Sequence, residues 1–82
     1  MRKIKIGSIY RHFKGNLYIV TNIVNDSESN NDTELKKVVI YKALYGKNLE
    51  WARPYDMFNS EVDHVKYPNV KQMYRFEEIK KL

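Results

Sequence analysis

A chain of 82 residues has room for one small domain, and at that size folding buries only about 60% of the surface that the extended chain exposes. With 43% hydrophobic and 13% aromatic residues it is not a disordered sequence, and without cysteine it has no disulfide, no thiolate nucleophile and no zinc site built on sulfur. Fifteen Lys and Arg against ten Asp and Glu leave a net charge of +5, which favours anionic partners without demanding nucleic acid.

Residues Met1 to Ile6 begin with the basic residues of a secretion signal, but Gly7, Ser8 and Arg11 interrupt it before an apolar run of about 7 to 15 residues develops. Nowhere do about 18 apolar residues follow one another, so the expected location is the cytoplasm, without a membrane span. From Ser8 to Val24 two β-rich runs flank Gly15-Asn16, which predicts a hairpin. With those two residues as the loop, Phe13 faces Tyr18 and Tyr10 faces Thr21. Arg11 and Phe13 then share one side with Tyr18 and Val20, and Tyr10, His12 and Lys14 share the other with Leu17 and Ile19.

Residues 25–36 are polar and rich in turn formers, so an exposed loop is expected there. A second hairpin follows, Lys37 to Tyr45 and Leu49 to Arg53 around Gly46-Lys47-Asn48. Either two-residue placement of that turn puts Trp51 on the face of Ile40 and Leu44, where packing is its first duty. Pro54 ends the strand, since it lacks the N–H that a ladder needs, and it suits the first turn of a short helix over Tyr55 to Glu61. Val62 to Lys66 and Met73 to Ile79 read as two further short strands, separated by the Pro68-Asn69 turn. The expected architecture is mainly β: a single domain over residues 1–82, a small SH3-like barrel or β-roll of five to six short strands with one short helical turn.

Three blocks carry a resemblance. They are Tyr10-Arg11-His12-Phe13-Lys14-Gly15-Asn16 with Tyr18 and Val20 behind it, Val39-Ile40-Tyr41-Lys42-Ala43-Leu44-Tyr45-Gly46, and Trp51-Ala52-Arg53-Pro54 followed by Met57-Phe58, with Arg75-Phe76 near the end. In these the sequence resembles a bacterial and phage family of small proteins known as domain of unknown function 1653. The resemblance implies a mainly β domain and carries over no catalytic role. One departure stands out: where the family typically reads His-Ser-Glu-Thr after the second strand, this chain has Asp26-Ser27-Glu28-Ser29. A chemistry shared through that His would be lost or narrowed here.

The two histidines, His12 and His64, fall on different predicted strands without paired carboxylates, so no metal site is expected. His12, Ser27 and Glu28 would be the minimal set for a hydrolase, but Ser27 lies in the polar loop and no glycine-rich oxyanion loop accompanies it. Hydrogen bonding within the loop is the simpler role for Ser27 and Glu28. Gly7, Gly15 and Gly46 stand singly, which excludes a phosphate-cradling glycine loop, and no cofactor is implied.

The remaining chemistry is a set of basic and aromatic residues in the two hairpins: Tyr10, Arg11, His12, Lys14, Tyr41, Tyr45, Trp51 and Arg53. Guanidinium forks grip phosphate or carboxylate, and aromatic faces stack on bases. The same residues also admit a structural role, with Tyr18, Trp51, Met57 and Phe58 as core and Arg53 answered by Glu28, Glu50 or Asp56. The expected function is a non-catalytic binding module for a small anionic, nucleotide-like ligand, which in a phage could sequester a nucleotide signal. The rivals are a nucleic-acid-binding β-barrel, for which Lys36, Lys37, Lys42 and Lys47 would be the stripe, a protein-interaction domain, and last a small hydrolytic enzyme. A homodimer or larger homo-oligomer is expected, because association buries what a short chain cannot.

Overall fold

A computed structural model of the chain describes residues 2–29 and 35–80. Its elements are β1 (Ile9–His12), β2 (Leu17–Asn25), β3 (Lys37–Ala43), β4 (Glu50–Pro54), the single helical turn α1 (Tyr55–Phe58) and β5 (Phe76–Lys80). The five strands form one antiparallel sheet in the order β4-β3-β2-β1-β5, so the protein is mainly β. In a flat sheet four spacings would hold β4 and β5 roughly 19 Å apart. Instead Arg53 Cζ on β4 lies 5.5 Å from the centre of the Phe76 ring on β5, so the sheet is curled until side chains from its two edge strands meet over one core.

That core is aromatic. Phe58 stacks on Phe76 at 4.0 Å, and Tyr10 and Tyr41 meet the Phe58 ring edge-on at 5.4 and 5.2 Å, with Val20, Val39 and Ile4 filling between them. The basic N-terminal segment closes one end of the roll. Arg2 donates to Asn59 Oδ1 and to the Phe76 carbonyl, and its guanidinium lies over the Tyr74 ring at 4.0 Å. No helix among the described residues is long and apolar enough to cross a membrane.

Three expectations change, each through turn chemistry. The first hairpin closes through three residues, Phe13 to Gly15: His12 N–H donates to the Asn16 carbonyl and Gly15, at φ +110°, occupies the left-handed position such loops require. Tyr10 therefore faces Tyr18 and Arg11 faces Leu17, which puts Tyr10 and His12 on the core side and Arg11 outside. The second loop spans Leu44 to Asn48, with Gly46 and Asn48 both at positive φ and Asn48 bonded to the Ala43 carbonyl. Trp51 then pairs with buried Tyr41, off the face of Ile40, but β4 is an edge strand of the sheet and the indole is 49% exposed. It is not core, and neither is Met57, which is also half-exposed.

The third change is at Val62 to Lys66, which is no strand beyond the bridge of Glu61 with Tyr74. Asp63 Oδ1 accepts the N–H groups of Val65 and Lys66 and curls the chain into a turn before a ladder can extend. The polar loop is shorter than expected at its start, since Asn25 pairs with Lys37; residues 30–34 of it lie outside the described residues. Because Trp51 stands at the edge, Trp51→Ala is expected to shift stability by less than about 1 kcal/mol. Urea unfolding checks this, and a loss of about 3 to 5 kcal/mol, the cost of emptying a core site, would place the indole inside after all.

Candidate anion-binding cleft

At the seam where the roll closes there is a cleft of about 320 Å³, lined by His12, Phe13, Lys14, Arg53, Asp63, Lys66, Tyr67 and Arg75. Each arrives by a local device. The three-residue loop carries Phe13 and Lys14 over the end of β1, and the Asp63 turn swings Lys66 and Tyr67 towards them. The Phe13 N–H bond to the Arg75 carbonyl ties the start of β5 to the same loop. Arg53 reaches in from β4, its Nε–H donating to the Tyr41 hydroxyl at 3.1 Å.

Four of the lining side chains are cations and one is a carboxylate. Asp63 is committed to its turn, and among the described residues none of Lys14, Arg53, Lys66 and Arg75 has a carboxylate within ion-pairing distance. Arg75 Nε is buried without a hydrogen-bond partner among the described residues. Positive charge is thus gathered and left uncompensated, an arrangement that like-charge repulsion disfavours unless an anion enters. The ring faces of Phe13 and Tyr67, 5.0 Å apart, are attended by the protein's own lysines: Lys14 Nζ lies 5.9 and 5.8 Å from the two centroids, and Lys66 Nζ lies 5.4 Å from that of Tyr67.

His12 accepts the Lys14 backbone N–H on Nδ1, which fixes the neutral tautomer with its proton on Nε2. Burial, followed by the charges of Arg53, Lys14 and Arg75, pushes the imidazole down from 6.5 to about 4. In that pH window the unfolded chain takes up a proton that the folded chain refuses, so stability falls as pH drops from 6.5 towards 4. His12→Gln is expected to flatten this part of the stability profile, measured as urea midpoints across the window. A variant retaining the wild-type slope would assign the acid sensitivity to other groups.

Of the residues predicted for the site, His12, Lys14 and Arg53 line the cleft together. Tyr41 is buried and contributes its hydroxyl to Arg53, while Tyr45 is engaged at 2.8 Å with the Tyr18 hydroxyl. Tyr10 is 1% exposed, with its hydroxyl accepting the Lys5 N–H, and it offers nothing to a ligand. Arg11 lies on the outer side of the sheet against Gln72. Sequence reasoning missed Phe13, Lys66, Tyr67 and Arg75 as site residues; Phe13 and Arg75 had a signal, their places in the family-like blocks, and Lys66 and Tyr67 had none.

A second cleft, of about 530 Å³, is lined by Asp26, Leu35, Lys36, Lys37, Pro54, Tyr55 and Asp56, where two carboxylates balance two lysines. Lys42 is opposed by Glu50 across the β3–β4 ladder. The lysine stripe proposed for nucleic acid is therefore interrupted by acids at three of its four positions. No group of three or more His, Asp or Glu at metal-binding spacing occurs among the described residues. A family model described as "Protein of unknown function (DUF1653)" matches residues 8–78. No curated protein and no solved structure matches the chain.

Proposed function

The chain belongs to the DUF1653 family, whose description assigns no activity, and from that premise we propose that it is a non-catalytic binding module for a small, nucleotide-like anion. The observation that carries this reading is the gathering of Lys14, Arg53, Lys66 and Arg75 in one cleft with no carboxylate among the described residues paired to any of them. Guanidinium and ammonium donors converging on a small cavity suit phosphate oxygens. An aromatic group of the ligand has a surface nearby: Trp51 stands two residues before Arg53 on the same side of β4, half-exposed and without a ring contact among the described residues. Side chains two apart on a strand are roughly 7 Å from one another, a span that a phosphate and its attached ring system can bridge.

Binding without turnover is sufficient for a protein that sequesters a nucleotide signal, the role this reading gives to a phage member of the family. The interrupted lysine stripe favours a small ligand over a nucleic-acid track. Calorimetric titration with mono-, di- and cyclic nucleotides, beside short single-stranded DNA, tests the proposal. Saturable binding of a nucleotide is the expected result. Tight binding of DNA alone, with a steep loss of affinity on adding salt, would replace this reading with the nucleic-acid one.

A further inference from the structure

We infer that the cleft selects a ligand ending in a phosphomonoester, the terminal phosphate of a mononucleotide, over the phosphodiester of a cyclic nucleotide or a nucleic-acid strand. The inference rests on the binding reading above and adds the class of phosphate. Its first ground is charge. Four cations against Asp63 leave an excess of three positive charges, out of +5 for the whole chain, facing one small cavity. A monoester brings about −1.5 to −2 at neutral pH and three terminal oxygens. A diester brings a single charge and two free oxygens, and would leave most of the excess unanswered.

The second ground is the nature of the walls. The Phe13 and Tyr67 rings lie beneath Lys14 and Lys66, so contact inside the cleft is made by charge and not by stacking. The donors also come from four different segments: Arg53 from β4, Arg75 from just before β5, Lys14 from the first hairpin loop and Lys66 from the Asp63 turn. Donors gathered from four elements suit a phosphate that presents three free oxygens, where a diester, substituted on two, presents only two. His12 adds an Nε2–H that stays a neutral donor, since Nδ1 is occupied by the Lys14 N–H.

The test is calorimetric titration of the intact chain with inorganic phosphate, adenosine 5′-monophosphate and adenosine 3′,5′-cyclic monophosphate, at about pH 7.5 and again about one unit below the second phosphate pKa of roughly 6. The monophosphate is expected to bind at least about tenfold more tightly than the cyclic compound at the higher pH. That advantage should shrink at the lower pH, where the monoester has taken up a proton and the diester is unchanged. Equal affinity for the two nucleotides, or a preference for the cyclic one, overturns the selectivity while leaving the cleft an anion site. No binding of any of the three compounds removes the anion site and the selectivity together.

Discussion

Phe58→Ala is expected to cost about 3 to 5 kcal/mol, the usual loss when a large aromatic side chain is removed from a core and only partly replaced by collapse. The magnitude follows from its position. Phe58 is fully buried, lies flat on Phe76 at 4.0 Å with an interplanar angle of 5°, and receives Tyr10 and Tyr41 on its edges. It is also the residue through which α1 is anchored inside the rolled sheet. At roughly 0.05 to 0.15 kcal/mol per residue, a domain of this length has a total stability of about 4 to 12 kcal/mol, so the substitution removes much of it. Circular dichroism with urea unfolding measures the effect. Phe58→Leu serves as the second variant, expected to stay folded with a lowered midpoint; an unchanged midpoint in both would contradict the core described here.

The largest effect on binding is expected from Arg53→Gln combined with Arg75→Gln. Loss of one charge-assisted pair weakens binding by about tenfold, near 1.4 kcal/mol, and two separated contacts to one anion should approach a hundredfold. Stability should respond differently. Removing Arg53 gives up one hydrogen bond to the Tyr41 hydroxyl, worth about 1 kcal/mol, while removing both guanidiniums relieves the repulsion among four unpaired cations. The two terms oppose, so the melting temperature of the ligand-free double variant should stay near that of the wild type. A large drop in melting temperature with unaltered nucleotide affinity would make the arginines structural cations, the role the sequence also allowed for Arg53.

What could be read from the sequence was decided by periodicity, and what could not was decided by turns. The alternation of Val39, Tyr41 and Ala43 and the stop at Pro54 give β3, β4 and the start of α1 correctly. The face on which a strand lies, however, depends on how many residues its loop consumes. Assigning two residues to the first loop instead of three turned Tyr10 and His12 away from Tyr18 and Val20. The second loop, longer than two residues, likewise moved Trp51 from the face of Ile40 to that of Tyr41, and its exposure follows from β4 lying at the edge of the sheet. Neither length is fixed by composition: Gly15 fits the end of a three-residue loop as well as the start of a two-residue one. The cleft was half legible for a related reason. His12, Lys14 and Arg53 sit in the hairpins, where proximity follows from pairing, but Lys66 and Arg75 reach them through the Asp63 turn and the closing of β5 on β1, more than fifty residues along the chain from His12 and Lys14.

The most direct test of the cleft as an anion site is amide chemical-shift mapping on uniformly ¹⁵N-labelled protein titrated with adenosine 5′-monophosphate. The expected result is a saturable set of shifts concentrated at Lys14, Arg53, Lys66 and Arg75, four residues adjacent in space and scattered in sequence. Shifts confined to the outer sheet face around Ile19 and Ile40, or to residues Lys36 and Lys37 beside Asp56, would contradict the assignment of the anion site to this cleft.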